Sequence, residues 1–170
     1  MQTFLPLQNF SSTAACLDRA RLGSQRKEVL QLLMALRAGH GAWTNHPAAR
    51  MWIGHEYALA EYYGRAICDE WISRSYKDTC KPKILAFSTG SLDDVPRDKT
   101  GLKIINLIKN MGQFPKSSLP AWVFDSRVHS SHRARLLDKK FEHYSQFGWN
   151  EDPSKDYEYW PVPLKSNIKR

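Results

Sequence analysis

One carboxylate in this chain, Glu28, stands in a cluster of basic residues that also contains Arg21, Arg26 and Lys27. Arg21, Gln25 and Glu28 are separated by four and three residues, so they share one side of a helix. A carboxylate beside a cationic centre can stabilise developing positive charge and transfer protons, while the neighbouring cations could hold phosphate groups. Taken alone, the same pattern is also typical of a solvated salt-bridge face.

The histidines suggest other chemistry less strongly. His129 and His132 have the spacing of a metal pair, but no third ligand stands out and His132 lies among arginines that would repel a cation. Ser131 and His132 are adjacent, and adjacent residues on a helix point in different directions, so serine chemistry is not expected. A metal-dependent nuclease stays open as an alternative. The ligands that such a nuclease could use are His46, His55, Glu56 and Asp69.

The composition favours a polyanionic partner. The 170 residues include 25 Lys and Arg against 17 Asp and Glu, which gives a formal charge of +8, and they also include six Trp, seven Tyr and seven Phe. A basic surface attracts nucleic acid, and aromatic rings can stack on bases. A DNA-binding module without catalytic activity would have the same composition and is therefore a second alternative.

Neither the cysteines nor the hydropathy pattern indicates a secreted or membrane protein. Cys16, Cys68 and Cys80 are odd in number and lack paired spacing, so reduced thiols are expected. The start of the chain does not resemble a signal peptide, and no window approaches the length of a membrane span. We therefore expect a cytoplasmic protein, monomeric and without a cofactor.

The spacing of apolar residues predicts a mainly α, single-domain fold over residues 1–164, followed by a basic tail at 165–170. A helix should begin near Ser11–Thr13, with an interruption near Gly23, and its core face should contain residues 29, 32, 33 and 36. A turn at 39–45 should precede a long helix from Pro47 to about Ser75.

The second half of the chain is predicted to contain two more helices. Residues 79–101 are rich in Pro, Asp, Ser and Gly and suggest a surface connection, with a short extended piece at 84–87. Helices are predicted over 102–110 and from 126 to about 141, separated by a loop at 114–120. The second of these helices is rich in Arg and Lys, as phosphate binding requires.

Three stretches resemble the pyrimidine-dimer DNA glycosylase family, and the opening pattern at residues 1–6, 17–23 and 45–56 is similar to its uncharacterised bacterial and phage branch. Residues 21–29, RLGSQRKEV, resemble the segment in which a basic residue precedes the catalytic glutamate, and Glu28 falls at that position. Residues 46–55, HPAARMWIGH, are similar to the family's next helix, with His55 as the matching histidine. Residues 135–139, RLLDK, resemble a late element on a DNA-facing helix. The resemblance covers most of residues 1–144.

The resemblance implies a helical DNA glycosylase with AP lyase activity that acts on duplex DNA containing a damaged or modified base. Its nucleophile would be the N-terminal α-amine, which has an ordinary pKa near ~8 and attacks the sugar to form a Schiff base. The bulk of Gln2 should leave Met1 in place, so Met1 is the expected nucleophile and Gln2 its replacement if Met1 is removed. Glu28 would be the acid and base.

The same resemblance implies the other site residues. The expected DNA contacts are Gln2, Arg21, Arg26, Lys27, Arg133, Arg135 and Lys139, where Arg133 could replace Arg135 if the register slips. Secondary candidates for the active site are His46, Trp52 and His55, and Trp52 could stack on an extruded base. The segment between the N-terminus and Glu28 is longer than in the phage enzymes, which leaves the identity of the damaged base open.

Overall fold

The chain folds into packed helices without β-structure in the part that can be described. The structure is a computed structural model that describes residues 2–162. Within that range every regular element is helical, and none of the helices is long and apolar enough to cross a membrane. The predicted mainly α fold is confirmed. Met1 and the predicted basic tail at 165–170 lie outside the described residues.

The helices follow one another with short connections. Their bounds are α1 Phe10–Cys16, α2 Arg19–Ala38, α3 Pro47–Arg50, α4 Glu56–Ala58, α5 Arg65–Ser73, α6 Lys81–Thr89, α7 Lys99–Met111, α8 Ser126–Lys139 and α9 Phe141–Tyr144. A π-helical segment, Leu59–Gly64, joins α4 to α5. Short 3-10 helices lie at Ala42–Asn45, Ala121–Phe124 and Ser145–Phe147.

Helix α2 is the central element, because α3, α5, α6, α7 and the π-helical segment all pack against it. It begins after Asp18, whose Oδ1 accepts hydrogen bonds from the N–H groups of Ala20 at 2.8 Å and Arg21 at 3.2 Å. Its core face is as predicted. Val29, Leu32 and Leu33 are completely buried, and Leu36 is partly buried against the core.

The predicted interruption at Gly23 is wrong, since α2 runs through this residue. A Cβ at Gly23 would lie 3.1 Å from the ring of Trp71, so the glycine allows close packing rather than a break. The helix boundary falls earlier, between Cys16 and Arg19. The cap of α1 is also displaced from the predicted position, because Asn9 Oδ1 accepts the N–H of Ser12 at 2.9 Å.

The single long helix predicted over 47–75 is divided. Helix α3 ends at Arg50, and the chain turns through Gly54, which has a φ of +81° that favours glycine. Only the stretch from Glu56 to Ser73 is continuous, and it includes the π-helical segment. The prediction followed the apolar periodicity and missed the conformation at Gly54.

Residues 79–101 are not simply a surface connection, because they contain α6. Asp78 Oδ2 accepts hydrogen bonds from the N–H groups of Cys80 at 3.0 Å and Lys81 at 2.7 Å, which starts the helix. Ile84 and Phe87, which were predicted to be extended, lie on its buried side. The two later helices, α7 and α8, and the irregular loop at 114–120 are as predicted.

The first residues of the chain have no regular secondary structure and are held by side chains of α8. The N–H of Leu5 donates to Nδ1 of His132 at 2.7 Å, and Nδ1 of His129 lies 2.9 Å from the carbonyl oxygen of Leu5, to which it donates. Burial lowers the pKa of the His132 ring to about 3, so this ring is neutral and accepts through Nδ1. The three-residue spacing of the two histidines therefore serves one buried residue of the N-terminal segment.

The substitution His132→Asn should make stability less dependent on pH. The folded-state pKa of His132 is about 3, below the ordinary value of about 6.5 in the unfolded chain. Its stabilising effect is therefore present above about pH 6.5 and is lost as the pH falls towards 3, by up to about 1.4 kcal/mol per pH unit. Asparagine can accept the Leu5 N–H without titrating. Urea unfolding at pH 7, 6 and 5 gives the free energy of unfolding at each pH. Its slope against pH should be shallower for the variant than for the wild-type protein, and equal slopes would contradict this account.

Candidate active site

The polar side of α2 binds the first residues of the chain. The backbone N–H of Gln2 donates to Oε2 of the half-buried Glu28 at 2.6 Å. One turn earlier, Gln25 Nε2 donates to the carbonyl oxygen of Gln2 at 2.8 Å, and Gln25 Oε1 accepts the N–H of Phe4 at 3.0 Å. Arg21, Gln25 and Glu28 therefore share one side of α2 as predicted, but Gln25 is completely buried under the N-terminal segment. Glu28 is thereby held beside the start of the chain.

A second layer of side chains fixes Gln25 in turn. The hydroxyl of Tyr63 lies 2.7 Å from Gln25 Oε1 and 2.8 Å from the carbonyl oxygen of Phe4, and its single hydrogen can be donated to either. Burial raises the pKa of the Tyr63 hydroxyl, so it stays protonated and remains a donor. This arrangement gives the N-terminal segment a fixed position relative to Glu28.

Trp52 belongs to the same supporting layer. Its side chain is completely buried, and its Nε1 donates to Oγ1 of Thr3 at 2.9 Å. The ring also packs edge-on against Trp122 with a centroid separation of 4.9 Å. The prediction that Trp52 could stack on an extruded base is therefore wrong.

A cavity of about 430 Å³ lies next to Glu28. It is formed by the start of the chain, the first half of α2, the end of α8 and the segment near the end of the described range. Its lining residues are Gln2, Phe4, Ala20, Arg21, Ser24, Glu28, Arg135, Lys139 and Tyr157. Five of these, Gln2, Arg21, Glu28, Arg135 and Lys139, are residues that the sequence predicted for the site. We call this cavity the Glu28 pocket.

The rim of the Glu28 pocket is positively charged. Arg21 lies within 3.5 Å of Asp18 and donates to the carbonyl oxygen of Lys139 at 3.4 Å, which links α2 to the end of α8. Arg135 forms an ion pair with Asp138, and Lys139 is exposed. Burial raises the pKa of Tyr157, which keeps this phenol in its protonated form within the pocket. An anionic ligand would meet cations from two helices.

The positive surface continues beyond the pocket. Ala20 and Ser24 also line a neighbouring cavity of about 540 Å³, whose walls include Arg19, Lys27 and Lys140. These three side chains are exposed. Lys27 thus lies beside the Glu28 pocket rather than in it. The sequence predictions did not include Arg19, and they included Lys140 only as part of a helix rich in Arg and Lys, although both adjoin predicted site residues. We refer to Arg19, Arg21, Lys27, Lys139 and Lys140 as the basic face.

Two arginines predicted to contact phosphate have structural partners instead. Arg26 is buried, forms an ion pair with Asp78, and places its guanidinium 3.9 Å from the centre of the Trp71 ring. Arg133 donates to Glu151 Oε1 through Nε at 2.8 Å and through Nη2 at 2.5 Å. Its Nη1 donates to the carbonyl oxygen of Pro6 at 3.1 Å, and Arg133 does not line the Glu28 pocket. We therefore propose no phosphate role for either arginine.

The predicted histidines also lie away from the pocket lining. Nδ1 of His46 accepts the N–H of Ala48 at 3.2 Å and so caps α3, and burial lowers the pKa of its ring. Nδ1 of His55 lies 2.8 Å from the carbonyl oxygen of Ser118, to which it donates. His46 therefore caps α3, and His55 joins the start of α4 to the loop at 114–120.

The ligands considered for a metal-dependent nuclease do not come together. Glu56 accepts the N–H of Gly54 at 3.0 Å, and Asp69 pairs with Lys81 at 2.6 Å. Over residues 2–162 there is no group of three or more His, Cys, Asp or Glu side chains placed to hold a metal ion. The geometry of the described residues gives no support to that alternative.

Fold and site together define a helical protein in which the start of the chain is bound to a glutamate beside a basic pocket. Residues 1–83 match the family model described as pyrimidine dimer DNA glycosylase. The resemblance is thus confirmed over this part of the chain, which contains Glu28, and it supports a DNA glycosylase function in general terms and DNA as the substrate. Arg135 and Lys139 lie beyond the matched residues. No curated protein and no solved structure matches the chain.

Neutralising Lys139 should reduce the salt dependence of DNA binding. Each phosphate contact contributes about 0.9 to the slope of log K against log salt concentration, so Lys139→Gln should lower the slope by about one. The matched control is Lys103→Gln, which makes the same charge change at an exposed site on α7. Equilibrium binding to one duplex at several salt concentrations measures both slopes. An unchanged slope for Lys139→Gln would remove this residue from the interface.

Proposed function

We propose that this protein is a DNA glycosylase with AP lyase activity that uses its N-terminal α-amine as the nucleophile and Glu28 as the acid and base. Its substrate is duplex DNA that contains a damaged or modified base, and we favour a pyrimidine. The observation that carries the proposal is the 2.6 Å hydrogen bond from the Gln2 N–H to the Glu28 carboxylate, at the edge of a basic pocket.

This contact brings an α-amine near the carboxylate in either form of the N-terminus. When Met1 is retained, its α-nitrogen is joined to the Gln2 nitrogen through two backbone atoms and lies within about 4 Å of it by covalent geometry. When Met1 is removed, the Gln2 nitrogen is itself the amine. The bulk of the Gln2 side chain favours the first form. An α-amine near its ordinary pKa of about 8 is partly unprotonated at neutral pH and can attack carbon.

The reaction begins with displacement of the base. The lone pair of the amine forms a bond to the sugar carbon C1′, and the bond from C1′ to the base breaks. The base leaves with the electron pair of the broken bond and takes up a proton. Loss of a proton from the nitrogen and protonation of the ring oxygen then open the sugar and give a Schiff base. Removal of a proton from C2′ expels the 3′ phosphate and cleaves the strand.

Glu28 has two tasks in this sequence. As a carboxylate it stabilises the positive charge that develops on the sugar and on the attacking nitrogen, and it can then carry protons during ring opening and elimination. Its position one hydrogen bond from the chain start suits both tasks. The basic face, with Arg19 and Lys27 on one side and Lys139 on the other, would hold the phosphates of the distorted duplex.

Borohydride should trap a covalent complex between the protein and duplex DNA that carries one abasic site. The reaction is run in a chelator, and acetylation of the α-amine with the lysines left free should abolish the adduct because the nucleophile is lost. A non-catalytic DNA-binding module would give no adduct at all. A metal-dependent nuclease would cleave DNA only without the chelator.

Glu28→Gln tests the acid and base separately. We expect strand cleavage to slow by about 100-fold, the lower range for losing general acid and base catalysis, while binding to abasic duplex persists. Glu142→Gln makes the same change at an exposed position on α9 and should leave the rate unaltered. Equal rates for the wild-type protein and Glu28→Gln would contradict the role of Glu28.

A further inference from the structure

Gln2 carries a buried side-chain donor that makes no hydrogen bond of standard geometry with any described residue. The residue is only 2% exposed and it lines the Glu28 pocket. Among the described residues its Nε2 makes no hydrogen bond of standard geometry, although the Tyr157 hydroxyl lies near it and the other polar groups of Gln2 are all paired. The backbone N–H donates to Glu28, the carbonyl oxygen accepts from Gln25, and Oε1 accepts the N–H of Thr3 at 2.9 Å.

The contact with Thr3 fixes which end of the Gln2 amide can receive a ligand. Because Oε1 accepts a backbone N–H, the NH₂ group must be the end that is left unpaired. A buried donor without a partner costs free energy, so proteins rarely keep one without a reason. This donor belongs to a residue of the pocket lining, where a bound ligand could pair with it.

We propose that Gln2 Nε2 donates a hydrogen bond to the acceptor atom next to the glycosidic nitrogen of the damaged base, which in a pyrimidine is O2. This inference rests on the proposed function, since it takes the α-amine as the nucleophile. Gln2 is then covalently next to the nucleophile or carries it, so atoms close to C1′ are within reach of its side chain. The O2 atom is the pyrimidine acceptor nearest to that carbon.

Such a bond would favour departure of the base as well as its recognition. When the C1′–N1 bond breaks, the electron pair stays with the base and is shared between N1 and O2 until the base is protonated. A donor at O2 stabilises this anion, and the stabilisation grows as the bond breaks. Gln2 would thus act as a specificity-determining residue, because an abasic site has no O2 atom to accept its hydrogen bond.

The test compares binding to two duplexes of the same sequence, one with a single cis-syn thymine dimer and one with a tetrahydrofuran abasic analogue. The dissociation constant for the abasic duplex, divided by that for the dimer duplex, measures how strongly the protein selects the damaged base. Gln2→Glu keeps the oxygen that accepts the Thr3 N–H but lacks the donor, and Gln2→Met lacks both. Each variant should reduce the ratio by about tenfold, the effect of one buried hydrogen bond.

Gln8→Met is the matched control, because Gln8 is exposed in the same segment and does not line the pocket. It should leave the ratio unchanged. A wild-type ratio of one, an unchanged ratio in the Gln2 variants or an equal fall in Gln8→Met would each overturn the inference. Failure of the proposed function is seen separately, as the absence of a borohydride adduct between the wild-type protein and abasic duplex.

Discussion

The structure depends on how the first residues of the chain satisfy their backbone polar groups. These residues have no helix or strand to bond with, yet Gln2, Thr3, Phe4 and Leu5 are buried. Side chains of α2 and α8 supply the partners, through Glu28 and Gln25 on one side and the two histidines on the other. Since an unpaired buried backbone group is costly, this network fixes the N-terminal segment in one position.

That constraint explains why the central helix carries polar residues on a buried side. Gln25 is completely buried because it bonds to two backbone groups of the N-terminal segment and to Tyr63. Glu28 lies one turn further, at the edge of this buried layer, where its carboxylate meets both the chain start and the open pocket. Packing and the proposed chemistry thus use residues one turn apart on a single helix. The basic face then surrounds a site whose geometry is already fixed.

The sequence predicted part of the candidate site correctly where residue spacing or family resemblance allowed few interpretations. The spacing of Arg21, Gln25 and Glu28 predicted a shared side of α2, and the family resemblance of residues 135–139 predicted Lys139 at the site, where it lines the Glu28 pocket. The sequence could not show that Arg26 and Trp52 have protein partners. A cation and an aromatic ring can contact a buried group as well as DNA, and only the fold places Asp78 and Thr3 beside them. Helix α6 was missed because Pro and Asp, usual in loops, can also begin a helix.

The most direct test of the central claim locates the covalent bond after borohydride trapping on abasic duplex. Trypsin releases residues 1–19 as one peptide, which contains no lysine, so the α-amine is its only primary amine. Mass spectrometry of the digested adduct should find the deoxyribose remnant on this peptide. A remnant on a peptide that carries Lys27 or Lys139 instead would show that a side chain attacks the sugar, and the account of the N-terminal amine held at Glu28 would be wrong.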